Sequence, residues 1–161
     1  MENTDPLELV CDSPLAAELT DDECRVLAEL VTIRDLADGE VLVHMGESDN
    51  HLHVVVSGIL GVAKRTEDGK WVTLHAITKG QTAGELAFMD GKPHYAALVA
   101  MGPARVFTLE REKLESLLPT HPYIVYRVMR SIFRIVHDLL HRMAFQTSEL
   151  TNYIYKQHGR Y

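Results

Sequence analysis

Glycines recur at short intervals through the middle of this 161-residue chain, and their spacing restricts the fold more than any other feature of the sequence. Between Leu36 and Leu109 they separate short runs rich in Val, Leu, Ile and Thr. Short β-prone runs bounded by turn residues are typical of a sandwich or barrel. The sequence therefore predicts a mainly β fold with flanking helices. The glycines concerned are Gly39, Gly46, Gly58, Gly69, Gly80, Gly84, Gly91 and Gly102.

Two turn pairs in this region predict antiparallel strand pairing. Ser57-Gly58 separates the apolar runs 52–56 and 59–63, and Asp68-Gly69 precedes the run 71–74. Gly in such pairs favours the positive φ angles of tight hairpins. We therefore expect a hairpin at each pair.

Helix signals lie on both sides of the β-rich region. Ser13-Pro14 is typical of a helix start with proline at the first helical position, and Thr20 with Glu23 forms a capping box. A short helix is predicted from Glu110 to Leu118, and Pro122 is placed to begin another. The predicted organisation is a helical lead-in over 1–35, a barrel over 36–109 and C-terminal helices over 110–161.

The last predicted helix carries a heptad repeat of apolar residues. Its positions are Val125, Met129, Ile132, Val136, Leu139 and Met143, continuing through Gln146 to Leu150 and Tyr153. A single helix would leave this stripe in water, so it must pack on the barrel, on a second copy, or on both. We predict a parallel homodimer through the Val125-to-Tyr153 stripe.

Charge and cysteine content exclude several classes of protein. The net charge of -7 disfavours nucleic acid and anionic membranes, although the segment 120–161 is basic. Its arginines, Arg127, Arg130, Arg134 and Arg142, are interpreted as a solvated face or as a complement to the acidic barrel. Two cysteines and an acidic N-terminus predict a cytoplasmic protein that neither is secreted nor enters a membrane.

The segment 82–91 interrupts the strands with a run of helix formers. The first amides of a helical turn have no partner within the helix and carry partial positive charge. Gly84, Glu85 and Leu86 can therefore present N–H groups to a phosphate, while the Glu85 carboxylate can accept hydrogen bonds from a sugar hydroxyl. As a bare tripeptide, the same residues also fit an ordinary strand-to-helix corner.

Several short segments in fixed order resemble the cyclic nucleotide-binding domain family. They are Leu36-Ala37-Asp38-Gly39-Glu40, Gly46-Glu47-Ser48-Asp49, Val55-Val56-Ser57-Gly58, Asp68-Gly69 and Gly84-Glu85-Leu86-Ala87. The resemblance covers roughly residues 15 to 143 and implies a double-stranded β-helix, or jelly-roll, barrel. It also implies a pocket for cAMP, cGMP or a related small anionic ligand, formed by Gly84, Glu85, Leu86, Ala87, His94, Tyr95 and Ala96.

The sequence departs from the family pattern at the position of a phosphate-binding arginine, which here is His94. Arginine offers a permanent charge and a fork of donors, whereas a histidine is charged only near or below pH ~6.5. Losing a charge-assisted contact costs about 1.5–3 kcal/mol. Tyr95 and Ala97 also replace smaller or hydroxyl-bearing residues, and Lys92 is a candidate for the missing charge. Nucleotide binding is therefore predicted to be weak and stronger at acidic pH.

Two further interpretations of the sequence stay open. One is a dimeric interaction module with the same fold and no ligand. Another is a cupin-type metal enzyme, suggested by His51 and His53 on one strand face, although the carboxylate expected four residues later is Ser57-Gly58. His137 and His141 lie four apart, but no glutamate follows His137 to complete a metalloprotease motif.

The predicted function is regulatory and not enzymatic. No nucleophile motif is recognisable, and residues 156–161 are too few for a DNA-binding domain after the helix. We therefore expect the signal to pass to an unidentified protein partner and not to DNA.

Overall fold

The computed structural model describes residues 5–158, and two four-stranded antiparallel sheets form its centre. One sheet has the strand order β1-β8-β3-β6 and the other has the order β2-β7-β4-β5. The glycine-punctuated region therefore folds as the predicted antiparallel barrel. The strands are β1 Val31–Leu36, β2 Val41–Val43, β3 His51–Ser57, β4 Leu60–Arg65, β5 Trp71–Ile77, β6 Thr82–Ala83, β7 Ala97–Ala100 and β8 Ala104–Glu110.

Three short helical segments precede the barrel: α1 Pro6–Cys11, a 3-10 helix Pro14–Ala16 and α2 Asp21–Ala28. The capping box of α2 is confirmed, because the Thr20 hydroxyl accepts from the Glu23 amide and the Glu23 carboxylate accepts from the Thr20 amide. Ser13 does not cap its helix; its hydroxyl donates to the Val10 carbonyl at 2.7 Å. The first strand begins at Val31, inside the segment assigned to the helical lead-in.

The hairpin predicted at Ser57-Gly58 is wrong. β3 pairs with β6 and β8, whereas β4 pairs with β5 and β7, so the Gly58 turn carries the chain from one sheet to the other. A turn pair specifies a local change of direction but not the strand on the other side. The hairpin at Asp68-Gly69 is confirmed, since β4 and β5 pair from Leu60 opposite Ile77 to Arg65 opposite Trp71.

Gly58 is required at this crossing for two reasons. Its φ of +78° lies in the left-handed region, and a Cβ there would lie 2.4 Å from the Pro103 carbonyl oxygen. It would also lie 2.7 Å from the Ala104 Cα, and backbone atoms cannot move aside as a flexible side chain does.

Two apolar cores hold the domain together. One fills the barrel, where Val55, Leu60, Leu98 and Val106 are at most 4% exposed. The other lies between the outer face of β3 and β8 and the helices, and includes Leu15, Leu27, Phe107 and Ile132. Strand alternation explains the division, because Val54 and Val55 point to opposite cores.

Two helices follow the barrel: α4 Arg111–Glu115 and the 37-residue α5 Pro122–His158. The start of α5 at Pro122 is confirmed. Val125 and Ile132 of the predicted heptad stripe are buried in the core of their own chain, together with Ile124 and Val128. Every residue from Leu140 to Lys156 is exposed. The first half of α5 therefore belongs to the domain, while the second half projects beyond its core.

The basic face of α5 complements acidic groups of the N-terminal helical region. Arg134 lies 2.6 Å and Arg130 lies 3.6 Å from the same Glu18 carboxylate oxygen. Arg127 donates to Glu23, whose carboxylate also caps α2. The acidic partners of Arg127, Arg130 and Arg134 therefore lie in the N-terminal helical region, and not on the barrel as the sequence interpretation has it.

Neither cysteine forms a disulfide, and burial raises the pKa of the Cys24 thiol to about 12. Within residues 5–158, none of the helices combines the length and apolar character needed to span a bilayer.

Candidate functional site

A cavity of about 660 Å³ lies between the Gly84 turn and α5. The seven residues predicted as ligand-binding all line it: Gly84, Glu85, Leu86, Ala87, His94, Tyr95 and Ala96. The opposite wall is formed by α5, through Val136, Leu139 and Met143 among others. The structure therefore brings the predicted site residues together and adds a helical wall that the local motif does not indicate.

The Gly84 turn opens the predicted short helix, α3 Glu85–Asp90. Gly84 has a φ of +84°, and a Cβ there would lie 2.8 Å from the His51 carbonyl oxygen. Glycine is thus needed for the backbone to pass close to β3. The first hydrogen bond of the turn runs from the Phe88 amide to the Gly84 carbonyl, so the preceding amides of Glu85, Leu86 and Ala87 have no partner four residues earlier.

The Glu85 carboxylate is held in place by its neighbour on β6. The buried Thr82 hydroxyl donates to Glu85 Oε1. Thr82 and Glu85 both line the cavity. The contact fixes one carboxylate oxygen and leaves the other available to a hydroxyl group of a ligand.

His94 lies in the cavity wall, but its ring is already engaged. Its Nε2 atom is 2.7 Å from Asp49 Oδ1, and only 8% of its side chain is exposed. The backbone reinforces the contact, since the His94 amide donates to the Glu47 carbonyl and the Gly46 amide donates to the His94 carbonyl, both at 2.8 Å. The nitrogen predicted to meet a phosphate therefore meets a carboxylate of the protein.

The other two groups flagged by the sequence lie at the rim. The Tyr95 side chain is 66% exposed. The Lys92 ammonium lies 3.6 Å from the Asp90 carboxylate and its side chain is 79% exposed. Lys92 is therefore a weakly held charge at the edge of the cavity, and it does not occupy the place of His94.

Sequence reasoning missed Asp49 and Thr82 as members of this site. The sequence pattern includes Asp49 only in the segment 46–49 and gives it no role. Its contact with His94 joins residues 45 positions apart. Spacing along the chain carries no signal for such a contact. Thr82 begins the 82–91 segment, and the sequence pattern gives it no further role. The signal that identifies it is its position, because a hydroxyl three residues before Glu85 can reach a carboxylate at a helix start.

Asp49 and His53 carry the clearest pKa shifts near the cavity. Burial alone would raise the pKa of Asp49, but hydrogen bonds from His53, His94 and the His51 amide outweigh it and hold the pKa well below its usual value. Burial lowers the pKa of His53, against the opposing effect of Asp49. The unfolded chain binds a proton at His53 at a higher pH than the folded protein does, so protonation of His53 lowers the stability as the pH falls below ~6.5. The ionised Asp49 stabilises the folded state, and this contribution is lost only in stronger acid.

The histidines considered for a metal site lie on β3 beside Asp49. The His51 and His53 rings stack with centroids 6.2 Å apart. Among residues 5–158, no group of three or more His, Cys, Asp or Glu side chains is arranged to hold a metal ion.

Comparison with solved structures matches this architecture. A cyclic nucleotide-binding domain from Methylobacillus flagellatus superposes with a TM-score of 0.73 at 22% identity, covering 86% of this chain and 78% of that one. A variant of the regulatory subunit of a cAMP-independent protein kinase A from Trypanosoma brucei, bound to cAMP in its A site, superposes with a TM-score of 0.64 at 21% identity, covering 89% of this chain and 50% of that one. These likenesses establish the jelly-roll fold.

Sequence comparison gives the family. The cAMP-dependent protein kinase regulatory subunit of Blastocladiella emersonii is 28% identical over 105 residues, which are 65% of this chain and 26% of that protein. The chain spans between 7% and 45% of the length of the curated relatives compared. Residues 33–121, more than half of the chain, match the cyclic nucleotide-binding domain. The chain therefore belongs to the cyclic nucleotide-binding domain family.

Proposed function

We propose that this chain is a non-catalytic sensor domain that binds a cyclic nucleotide, cAMP or cGMP, in the cavity between the Gly84 turn and α5. The observation that carries the proposal is that the first residues of α3, whose amides have no partner within the helix, line one cavity with the Thr82-held Glu85 carboxylate. Its volume of about 660 Å³ falls within the range of small-molecule sites, which is roughly 300–1,000 Å³.

Each wall of the cavity suits one part of such a ligand. The amides of Glu85, Leu86 and Ala87 offer donors to a cyclic phosphate. The free oxygen of Glu85 accepts from a ribose hydroxyl. The base meets the apolar side chains of Val136 and Leu139 on α5.

The identity of residue 94 sets the strength of binding in this proposal. The Trypanosoma brucei regulatory subunit is described as cAMP-independent, and its cAMP-bound form carries three substitutions, one of which replaces threonine by arginine. An added arginine accompanying cAMP binding in that protein supports the view that His94 weakens the site here.

Calorimetry with cAMP and cGMP at pH 6 and pH 8, with a chelator present, tests the proposal. We expect measurable binding at pH 6 and at least about threefold weaker binding at pH 8, because histidines near the phosphate lose charge over this interval. Thermal unfolding at both pH values controls for loss of the fold in acid.

Two results would contradict different parts of this proposal. Tight binding that does not change between pH 6 and pH 8 would contradict the role of histidine and leave the nucleotide site standing. Absence of binding at both pH values, together with no nucleotide mass in the purified protein, would favour the ligand-free interaction module. The Asp49–His94 contact is the observation that favours that second candidate, because it already satisfies the site.

The proposed route for the signal is α5, through pairing with a second copy. A second heptad repeat on this helix shares alternate positions with the predicted stripe and lies mostly on the surface, although Met129 and Val136 are partly buried against the core. This outer seam consists of Tyr126, Met129, Phe133, Val136, Leu140, Met143, Thr147, Leu150 and Ile154. Phe133 is 67%, Leu140 is 60% and Leu150 is 64% exposed.

The outer seam suits a parallel two-stranded coiled coil. Its apolar positions alternate at steps of three and four residues, which is the repeat that such pairs bury. Val136, Leu140 and Met143 of the seam also line the cavity. A ligand that contacts these side chains would therefore act on the helix that carries the proposed interface.

A further inference from the structure

One carboxylate beside the Gly84 turn is shared by three imidazoles. Asp49 Oδ1 lies 2.7 Å from His94 Nε2. Asp49 Oδ2 lies 3.5 Å from His53 Nε2 and 3.7 Å from His51 Nδ1. The group is largely withdrawn from water, since the side chains of Asp49, His53 and His94 are 21%, 4% and 8% exposed. We call these four residues the histidine cluster.

The cluster is fixed by contacts on β3 and β8. The His51 amide donates to Asp49 Oδ1 at 3.3 Å, which positions the carboxylate at the start of β3. His53 Nδ1 bonds with the Thr108 hydroxyl on β8 at 2.8 Å, and its buried Nε2 faces Asp49 Oδ2 at 3.5 Å. The Asp49 carboxylate is therefore the group that this deeply buried imidazole nitrogen meets.

The cluster lies directly against the proposed anion site. The position of a Cβ on Gly84 is 3.4 Å from Cε1 of His94 and 3.7 Å from Cδ2 of His53. An anion on the amides that follow Gly84 would thus face both the imidazoles and the negative charge of Asp49. Two negative groups so close together disfavour each other in a partly buried site.

We propose that Asp49 is an internal counter-ion that competes with the anionic group of the ligand for His94, and so determines which ligand charge the cavity accepts. This inference rests on the proposed function and names the residue that regulates that site. At neutral pH the carboxylate occupies His94, and an anion must displace it. When the positive charge of the cluster exceeds what one carboxylate balances, an anion becomes the favoured partner.

The charged groups around the cluster do not alter this logic. Glu47 and Glu110 line its outer side, and Lys113 lies 3.8 Å from Glu110. The charged or titratable groups that line the cavity side are His75 of β5, Glu85 and Asp90 of α3, Lys92, and Asp138 and Arg142 of α5. Between pH 6 and pH 8 carboxylates, lysine and arginine keep their charge, so histidines are the groups that respond.

Asp49→Asn tests the inference, with Asp90→Asn as a matched control. Both substitutions remove one negative charge near the cavity, but Asp90 contacts Lys92 and not the cluster. Asparagine keeps the acceptor for the His51 amide. At pH 6, where a histidine side chain can carry charge, we expect Asp49→Asn to bind cAMP at least about tenfold more tightly than the unmodified protein, because His94 is then free to form a charge-assisted contact with the phosphate. Asp90→Asn should change affinity by less than about threefold.

A double-mutant cycle separates direct competition from a structural effect. If Asp49 acts through His94, the tenfold gain disappears when Asp49→Asn is combined with His94→Ala. A gain that persists without His94 would overturn the inference. Asp49→Ser provides a second test if Asp49→Asn lowers the melting temperature, and it should give the same direction of change.

The outcomes distinguish this inference from the proposed function. If His94→Arg binds cAMP while Asp49→Asn gains no more than Asp90→Asn, the counter-ion role is wrong and the nucleotide site stands. If neither the unmodified protein nor any of these variants binds cAMP or cGMP, both the site and its regulation are wrong.

Discussion

Leu140→Glu is expected to convert a homodimer into a monomer, reducing the mass seen in sedimentation from about twice 18.1 kDa to 18.1 kDa. Leu140 is 60% exposed in one chain and lies at the middle of the outer seam. In a parallel pair the same residue of both helices meets at the interface, so the substitution would bring two carboxylates together in an apolar contact. The measurement is made at micromolar concentration.

Phe145→Glu provides the matched control for this experiment. Phe145 lies on the same helix and is 62% exposed, but it falls five residues after Leu140, on the side of the helix away from the seam. It should leave the dimer intact. A monomer in the unmodified protein, or equal effects of the two substitutions, would contradict the proposed interface.

Gly58→Ala is expected to reduce the free energy of unfolding by about 2–5 kcal/mol. About 1–2 kcal/mol comes from placing a Cβ in a left-handed conformation, and about 1–3 kcal/mol comes from the overlap with Pro103 and Ala104. A Cβ would lie 2.4 Å from the Pro103 oxygen and 2.7 Å from the Ala104 Cα. Denaturant unfolding with an unchanged m value gives the difference.

Gly69→Ala isolates the contribution of that overlap. Gly69 has a φ of +76°, close to the +78° of Gly58, but a Cβ there would meet nothing within 4 Å. Gly69→Ala should reduce the free energy of unfolding by only about 1–2 kcal/mol. If Gly58→Ala costs no more than Gly69→Ala, the close passage of the two backbones at the sheet crossing is incorrectly described.

Local signals in the sequence account for the elements that were predicted well. The capping box at Thr20 and Glu23, the hairpin at Asp68-Gly69 and the helix start at Pro122 each depend on residues a few positions apart. Such interactions are satisfied within one element, so they are present in the sequence pattern whatever the rest of the chain does.

The incorrect or incomplete predictions concern contacts between distant segments. β3 pairs with β8, more than fifty residues later, and nothing at the Ser57-Gly58 turn distinguishes that partner from the adjacent β4. On α5, stripes through Ile132 and Phe133 share the positions Met129, Val136, Met143 and Leu150. Only the packing of the barrel decides that Ile132 is buried and Phe133 is exposed.

The candidate site shows the same division. The seven predicted residues line one cavity. They could be predicted because Gly84-Glu85-Leu86 and the segment around His94 are recognisable as motifs. The carboxylate that occupies His94 comes from Asp49, on the loop before β3. That contact depends on two backbone hydrogen bonds between His94 and residues 46 and 47, which only the fold provides.

Calorimetry of His94→Arg with cAMP at pH 7.5, beside the unmodified protein, tests most directly whether the Gly84 turn is a nucleotide site. Arginine adds a permanent charge and paired donors at the place where His94 meets the cavity. If the Gly84 turn is a nucleotide site, His94→Arg should bind cAMP at least about tenfold more tightly than the unmodified protein does. Failure of both proteins to bind cAMP or cGMP, with melting temperatures that show both to be folded, would contradict it.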